Sequence, residues 1–227
     1  YTYTITDANG CSSTTSITVT EPTALSASSS ATAILCNGGS ATVTVSATGG
    51  SAPYSGTGSF TVGAGSYTYT VTDDNGCSTT TSITVSEPTS LSASSSATAI
   101  LCNGGSATVT VSATGGTAPY LGTGSFTVGA GSYTYTVTDA NGCSTTTSIT
   151  VSEPTALSAS SSQGAAILCN GGTTTVTVSA TGGTAPYSGD GSFTVGAGSY
   201  TYTVTDANGC STTTSITVSE PTALSAS

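Results

Sequence analysis

The sequence repeats itself with a period of 66 residues, and this repetition constrains the fold more than any other feature. Residues 23–88 and 89–154 are identical at 62 of 66 positions, and residues 155–221 form a third copy with one extra residue. Residues 1–22 match the last third of a repeat, and residues 222–227 match its first six positions. Self-similarity at a fixed period indicates one small fold that recurs along the chain. We expect three complete repeats between two partial ones, cut from a longer array.

The clearest element of each repeat is a β-hairpin, which residues 65–87 represent. Tyrosine and valine alternate with threonine over residues 67–72, the two-residue period of a strand with one buried face. Asn75-Gly76 favours a type I′ turn, in which both central residues have positive φ. Cys77 shares the phase of the apolar residues in the second strand, so we expect it to be half-buried.

The rest of the repeat predicts further short strands and no helix. Alternating segments are separated by Gly, Pro and Asn at intervals of about eight to twelve residues, which gives six or seven strands per repeat. The predicted fold is therefore all-β: a tandem array of small immunoglobulin-like Greek-key β-sandwich repeats, arranged head to tail. The joints, such as Glu87-Pro88, contain no flexible linker, so the sequence predicts a stiff rod.

The charge composition excludes several function classes. The chain has no Lys, Arg or His but ten Asp and Glu residues, which gives a net charge of −10. Nucleic acids and anionic membrane surfaces are poor partners because both bind through cationic side chains. No apolar stretch is long enough to insert into a membrane. Without His or Lys to activate a nucleophile, we expect no enzyme activity.

Two cysteines per repeat predict disulfides that stabilise a small core, and with them an oxidising, extracytoplasmic location. A Cys/His zinc site is excluded because the chain has no His. Pairing within a repeat closes a loop of about forty residues and is the favoured hypothesis. Pairing across neighbouring repeats and free thiols are the alternatives. The favoured pairs are Cys36–Cys77, Cys102–Cys143 and Cys169–Cys210, and this pairing leaves Cys11 without a partner. Pairing across repeats would instead leave Cys210 without a partner.

Calcium is a candidate cofactor because an Asp-x-Asn-Gly motif places oxygen ligands in each hairpin turn, and no cation offsets their charge. Ordinary turn chemistry explains the same residues. The joint glutamates, such as Glu87, would complete a site only if a turn approaches a joint. The candidate ligands are Asp7, Asp73, Asp74, Asp139 and Asp206.

Four motifs together resemble the SprB repeat of giant cell-surface proteins in gliding Bacteroidota. They are CNGG (36–39), TGGSAPY (48–54), GAGSYTYTVTDDNGC (63–77) and TVSEP (84–88), and they recur in order in every complete repeat with small substitutions. The resemblance implies an extracellular, tandemly repeated filament that is exported and then acts in adhesion or gliding motility.

The expected function is that of a disulfide-stabilised spacer on the cell surface, whose partners are neighbouring repeats and, in a filament, copies of itself. One alternative is a multivalent array that binds surface glycans or calcium. Another is a self-assembling fibre subunit, because threonine-rich strand edges without Lys are open to pairing with other chains. No residue of the sequence identifies a ligand.

Overall fold

The computed structural model describes residues 1–225 as an all-β protein, and residues 226 and 227, at the end of the second partial repeat, lie outside the described part. Seventeen strands follow one another within residues 1–225, where no helix occurs. Every ladder between them is antiparallel. The predicted all-β class is confirmed.

Each complete repeat contributes five strands in the same order. The first repeat contains β3 (Ser26–Ala31), β4 (Ala41–Thr48), β5 (Gly58–Val62), β6 (Gly65–Thr72) and β7 (Ser78–Val85). The second contains β8 (Ser92–Ala97), β9 (Ala107–Thr114), β10 (Gly124–Val128), β11 (Gly131–Thr138) and β12 (Ser144–Val151). The third contains β13 (Ser158–Gln163), β14 (Thr174–Thr181), β15 (Gly191–Val195), β16 (Gly198–Thr205) and β17 (Ser211–Val218). Before them, β1 (Thr2–Thr6) pairs with β2 (Ser12–Ser16).

The strands of a repeat form one three-stranded sheet and one hairpin. In the first repeat β4 lies between β3 and β5, and β6 pairs with β7. The prediction of six or seven strands was too high. In place of a sixth strand, Ser55 forms an isolated bridge with Thr72. Pro53 precedes this bridge and has no N–H to donate, which limits a longer ladder there.

The hairpin turn differs from the predicted type I′ turn. Asp73 donates its N–H to the carbonyl of Cys77 (2.9 Å), so the loop contains three residues, 74–76. Gly76 has a φ of 83°, whereas no residue other than glycine has positive φ within residues 1–225. This is a type I turn followed by a left-handed glycine. The side chain of Asp73 stabilises the longer loop by accepting the N–H groups of Asn75 and Cys77.

The sheet and the hairpin share one hydrophobic core. In β4 the buried residues alternate with exposed ones, and Val43 is fully buried together with Val71 of the hairpin. Phe60 and Tyr69 extend the core, with their ring centroids 4.7 Å apart. The hydroxyl of Tyr69 is buried without a hydrogen-bond partner, whereas that of Tyr54 donates to a backbone carbonyl at 2.6 Å. Equivalent clusters recur in the second and third repeats.

The described chain divides into two compact units. The first contains Tyr1–Ser90 together with Gly115–Thr117 and Asn141–Cys143. The second contains Leu91–Thr114, Ala118–Ala140 and the chain from Ser144 onward. Two short segments of the second sequence repeat thus belong to the first unit. The predicted boundaries of the repeats stay predictions.

Candidate functional site

Asp73 anchors the turn between β6 and β7, and its carboxylate is fully engaged there. The residue is only 6% exposed. Its Oδ1 accepts the backbone N–H groups of Asn75 (3.0 Å) and Cys77 (2.8 Å), and its Oδ2 accepts the N–H of Ser51 (3.0 Å). The Ser51 hydrogen bond lowers the pKa of Asp73 below its usual value, against the opposing effect of burial. The carboxylate therefore serves the turn as an ionised cap.

Asp206 occupies the same place in the third repeat. Its Oδ1 accepts the N–H groups of Asn208 (3.0 Å) and Cys210 (2.9 Å), and its Oδ2 accepts the N–H of Thr184 (2.9 Å). Burial raises the pKa of Asp206, but these backbone hydrogen bonds outweigh it and hold the pKa below its usual value.

The remaining candidate calcium ligands lie in or beside equivalent turns. Asp139 is buried, whereas Asp7 and Asp74 are exposed. Within residues 1–225, no group of three or more His, Cys, Asp or Glu side chains is arranged to hold a metal ion. The structure thus assigns the carboxylates of Asp73 and Asp206 to backbone hydrogen bonds rather than to a shared ligand set.

The cysteine loop, defined as the CNGG motif at residues 36–39, 102–105 and 169–172, is fastened to the end of its own repeat. The Nδ2 of Asn37 donates to the carbonyl of Pro88 (3.1 Å), and the N–H of Gly38 donates to Oε2 of Glu87 (2.6 Å). The other repeats reproduce both contacts, through Asn103–Pro154, Gly104–Glu153, Asn170–Pro221 and Gly171–Glu220. The joint glutamate is therefore used within its own repeat.

One disulfide connects each of the first two cysteine loops to an NGC turn. The NGC turns are defined as residues 9–11, 75–77, 141–143 and 208–210. Cys36 pairs with Cys143 and Cys102 pairs with Cys210, at sequence separations of 107 and 108 residues. The Cα atoms of each pair are 5.7 Å apart. Both bonds join a cysteine loop to the NGC turn of the following repeat.

The predicted pairing within a repeat is therefore wrong. Cys36 and Cys102 have partners other than Cys77 and Cys143, and Cys169 is not bonded to Cys210. The free cysteines, Cys11, Cys77 and Cys169, are all exposed, including Cys77, which was expected to be half-buried. The alternative hypothesis, pairing across repeats, agrees with the structure in that both disulfides join different repeats. It left Cys210 unpaired, whereas the structure pairs Cys210 with Cys102.

The length of β7 explains why the cysteines of one repeat do not pair. Cys77 precedes the first residue of β7, whereas Cys36 lies in the loop that is hydrogen-bonded to Glu87 and Pro88 beyond its last residue. Eight extended residues span about 25 Å. A disulfide requires Cα atoms within about 7 Å, so the two cysteines lie at opposite ends of a strand.

An asparagine accompanies each disulfide, and sequence reasoning missed its role. The Nδ2 of Asn141 donates to the carbonyl of Leu35 (3.0 Å), and that of Asn208 donates to the carbonyl of Leu101 (3.1 Å). The Asn-Gly dipeptide indicated only a turn. The asparagine side chain instead donates to the residue that precedes the disulfide partner of its own turn: Asn141 binds Leu35, next to Cys36, and Asn208 binds Leu101, next to Cys102.

Residues 1–225 contain no helix of sufficient length and apolarity to cross a bilayer. No protein-family model matches the sequence, and the comparison with curated proteins finds no match.

Proposed function

We propose that this chain is a structural segment of an extracellular surface filament of the SprB-repeat kind, in which immunoglobulin-like sandwich repeats act as a stiff spacer for adhesion or gliding. Two disulfides are consistent with an extracellular protein. The absence of His, Lys and Arg from the sequence argues against acid–base or nucleophilic catalysis.

The observation that carries the proposal is that two joints, Glu87-Pro88 and Glu153-Pro154, are each held by hydrogen bonds to a cysteine loop that also forms a disulfide. On one side, the cysteine loop is hydrogen-bonded to the joint glutamate and proline of its own repeat. On the other, the same loop is bonded covalently to an NGC turn 107 or 108 residues away. A residue held by both a disulfide and neighbouring hydrogen bonds has little freedom to rotate, so the joint resists bending. This is the property that a spacer requires.

The exposed faces support a spacer more than a binding module. Outward hydroxyl groups pair across the strands, as in Thr68 with Ser82 (2.9 Å) and Ser66 with Thr84 (3.0 Å). These pairs satisfy each other rather than converge on a pocket. They also supply polarity to a surface that has few charges.

The test is the dependence of length on repeat number. Arrays of three, six and twelve complete repeats are compared by small-angle X-ray scattering. A stiff spacer doubles its maximum dimension with each doubling, whereas a flexible chain of units grows by only about 1.4-fold because its extension follows the square root of length. Square-root growth under oxidising conditions contradicts the spacer.

The same arrays are screened against glycans and titrated with calcium. Tight binding that strengthens with repeat number would favour the multivalent alternative over the spacer.

A further inference from the structure

The two disulfides make the same connection in two successive pairs of repeats. Each joins the cysteine loop of one repeat to the NGC turn of the next. In both, the asparagine of the turn donates to the leucine carbonyl that precedes the cysteine of the loop. Because these residues are repeated along the chain, the connection belongs to the repeat, and we expect it wherever one complete repeat follows another.

The chain between an NGC turn and the next cysteine loop is short. We call this stretch, from the cysteine of the turn to the cysteine of the loop, a joint segment. Residues 77–102 contain 102 minus 77, or 25, peptide bonds, and residues 143–169 contain 169 minus 143, or 26. The stretch from a cysteine loop to the turn of its own repeat, such as residues 36–77, has 41 peptide bonds and contains β4, β5 and β6. We call it a core segment.

The disulfides connect the joint segments into two separate covalent routes. One route follows residues 77–102 and crosses the Cys102–Cys210 bond into the third repeat. The other crosses the Cys36–Cys143 bond and then follows residues 143–169. The two routes share no peptide bond and no disulfide, and neither includes a core segment. Each advances by two repeats for every joint segment that it uses.

A chain under tension is limited by its shortest covalent route, because any longer stretch in parallel with that route stays slack. The joint segments also store little length within their strands. Residues 77–102 contain β7 and β8, so fourteen of these residues already have the extended backbone of a strand. A strong pull along the chain should therefore load the joint segments and the disulfides, while the core segments are not drawn out.

We propose that this chain is a tension-bearing tether, in which joint segments and disulfides form two parallel load-carrying routes and the core segments lie off both. The inference goes beyond the proposed spacer, because it depends on the disulfide connectivity and not on the stiffness of the joints. In an array, each route uses about 26 peptide bonds for two repeats, or 13 for each repeat, whereas the reduced chain has 66. The oxidised array should therefore reach only about one fifth of the reduced array's maximum length.

Single-molecule stretching of the full chain tests the first route. One handle is attached to the exposed thiol of Cys77 in the variant Cys11→Ser/Cys169→Ser, and the other to a C-terminal peptide tag. The route leaves 42 of the 150 peptide bonds between these points, namely the 25 of residues 77–102 and the 17 after Cys210. We expect a maximum length of about 140 Å before reduction and about 510 Å after it.

A second attachment tests the other route. The handles are placed on an N-terminal peptide tag and on the exposed thiol of Cys169, in the variant Cys11→Ser/Cys77→Ser. The route leaves 61 of the 168 peptide bonds, namely the 35 before Cys36 and the 26 of residues 143–169. We expect about 210 Å before reduction and about 570 Å after it.

Paired variants remove one disulfide without creating a new thiol. Cys102→Ser/Cys210→Ser should lengthen the first measurement about threefold and leave the second unchanged. Cys36→Ser/Cys143→Ser should lengthen the second more than twofold and leave the first unchanged. Equal lengths before and after reduction, or a paired variant that lengthens both measurements, would overturn the tether.

The tether and the spacer can fail separately. Scattering measures the shape of the arrays without load, so linear growth there would support the spacer even if the stretched lengths contradicted the tether. Square-root growth together with the expected stretched lengths would reject the spacer and retain the tether.

Discussion

The two disulfides enclose overlapping loops, and this overlap predicts how the chain responds to a cut. Cys102 lies inside the loop closed by Cys36–Cys143, and Cys143 lies inside the loop closed by Cys102–Cys210. Every peptide bond from Cys36 to Cys210 is therefore bridged. This covers 210 minus 36, or 174, of the 226 peptide bonds, whereas three loops within repeats would cover three times 41, or 123.

The perturbation is a substitution that introduces a single trypsin cleavage site. Trypsin has no substrate in this chain because Lys and Arg are absent. Ser90→Lys creates one cleavable bond, before Leu91, at an exposed position between β7 and β8. The equivalent residues of the other repeats are Ala24 and Ala156, which shows that the fold accepts different side chains there.

The assay compares masses with and without reductant. Free thiols are alkylated first, so that no exchange occurs, and the chain is then unfolded in urea and cut. We expect one molecule, heavier by one water, in the absence of reductant, because the loop from Cys36 to Cys143 spans the cut. Reductant should separate it into fragments of 90 and 137 residues. Pairing within repeats leaves no bridge between Cys77 and Cys102, so the fragments would separate without reductant.

Equivalent positions supply the controls. Ala24→Lys places the cut outside both loops, and its 24-residue fragment should separate under either condition. Ala156→Lys places the cut inside the Cys102–Cys210 loop alone, so it tests the second disulfide separately. Separation of the Ser90→Lys fragments without reductant would falsify the overlapping pairing, provided that the Ala24→Lys control is cut to completion.

Three further predictions concern stability. Tyr69→Phe removes a buried hydroxyl without a partner and should be neutral or raise the free energy of unfolding, whereas Tyr54→Phe loses a hydrogen bond and should lower it by about 1 kcal/mol, as urea denaturation would show. The lowered pKa values of Asp73 and Asp206 contribute stability that is present above the usual value of 3.8 and lost as pH falls through the folded-state pKa. The midpoint of urea unfolding should therefore decrease as the pH is lowered below 3.8. This decrease should be less steep in Asp73→Asn than in the control Asp74→Asn, and equal slopes in the two variants would contradict the prediction. Reduction should lower the free energy of unfolding by up to about 4.7 kcal/mol for one loop of this length, and a reductant-insensitive midpoint would exclude the bonds.

The repeat and the strand period made much of the fold predictable. Alternation over residues 67–71 predicted the inward residues of β6, because the side-chain period of a strand is two and each sheet has one buried face. The irregular middle of the repeat was less predictable. The bridge at Ser55 depends on a loop whose path the local sequence does not specify.

The disulfide pairing was beyond such reasoning because it depends on which ends of the strands meet. Loop-closure entropy favours no particular native partner, since it acts on the unfolded chain. Geometry decides instead: Cys77 and the Glu87-Pro88 joint are separated by the length of β7, and the cysteine loop is bound to the joint. Once those two contacts are known, Cys36 has no partner in its own repeat. It must bond elsewhere or stay free, and the NGC turn of the following repeat carries both the cysteine and the asparagine that fit it.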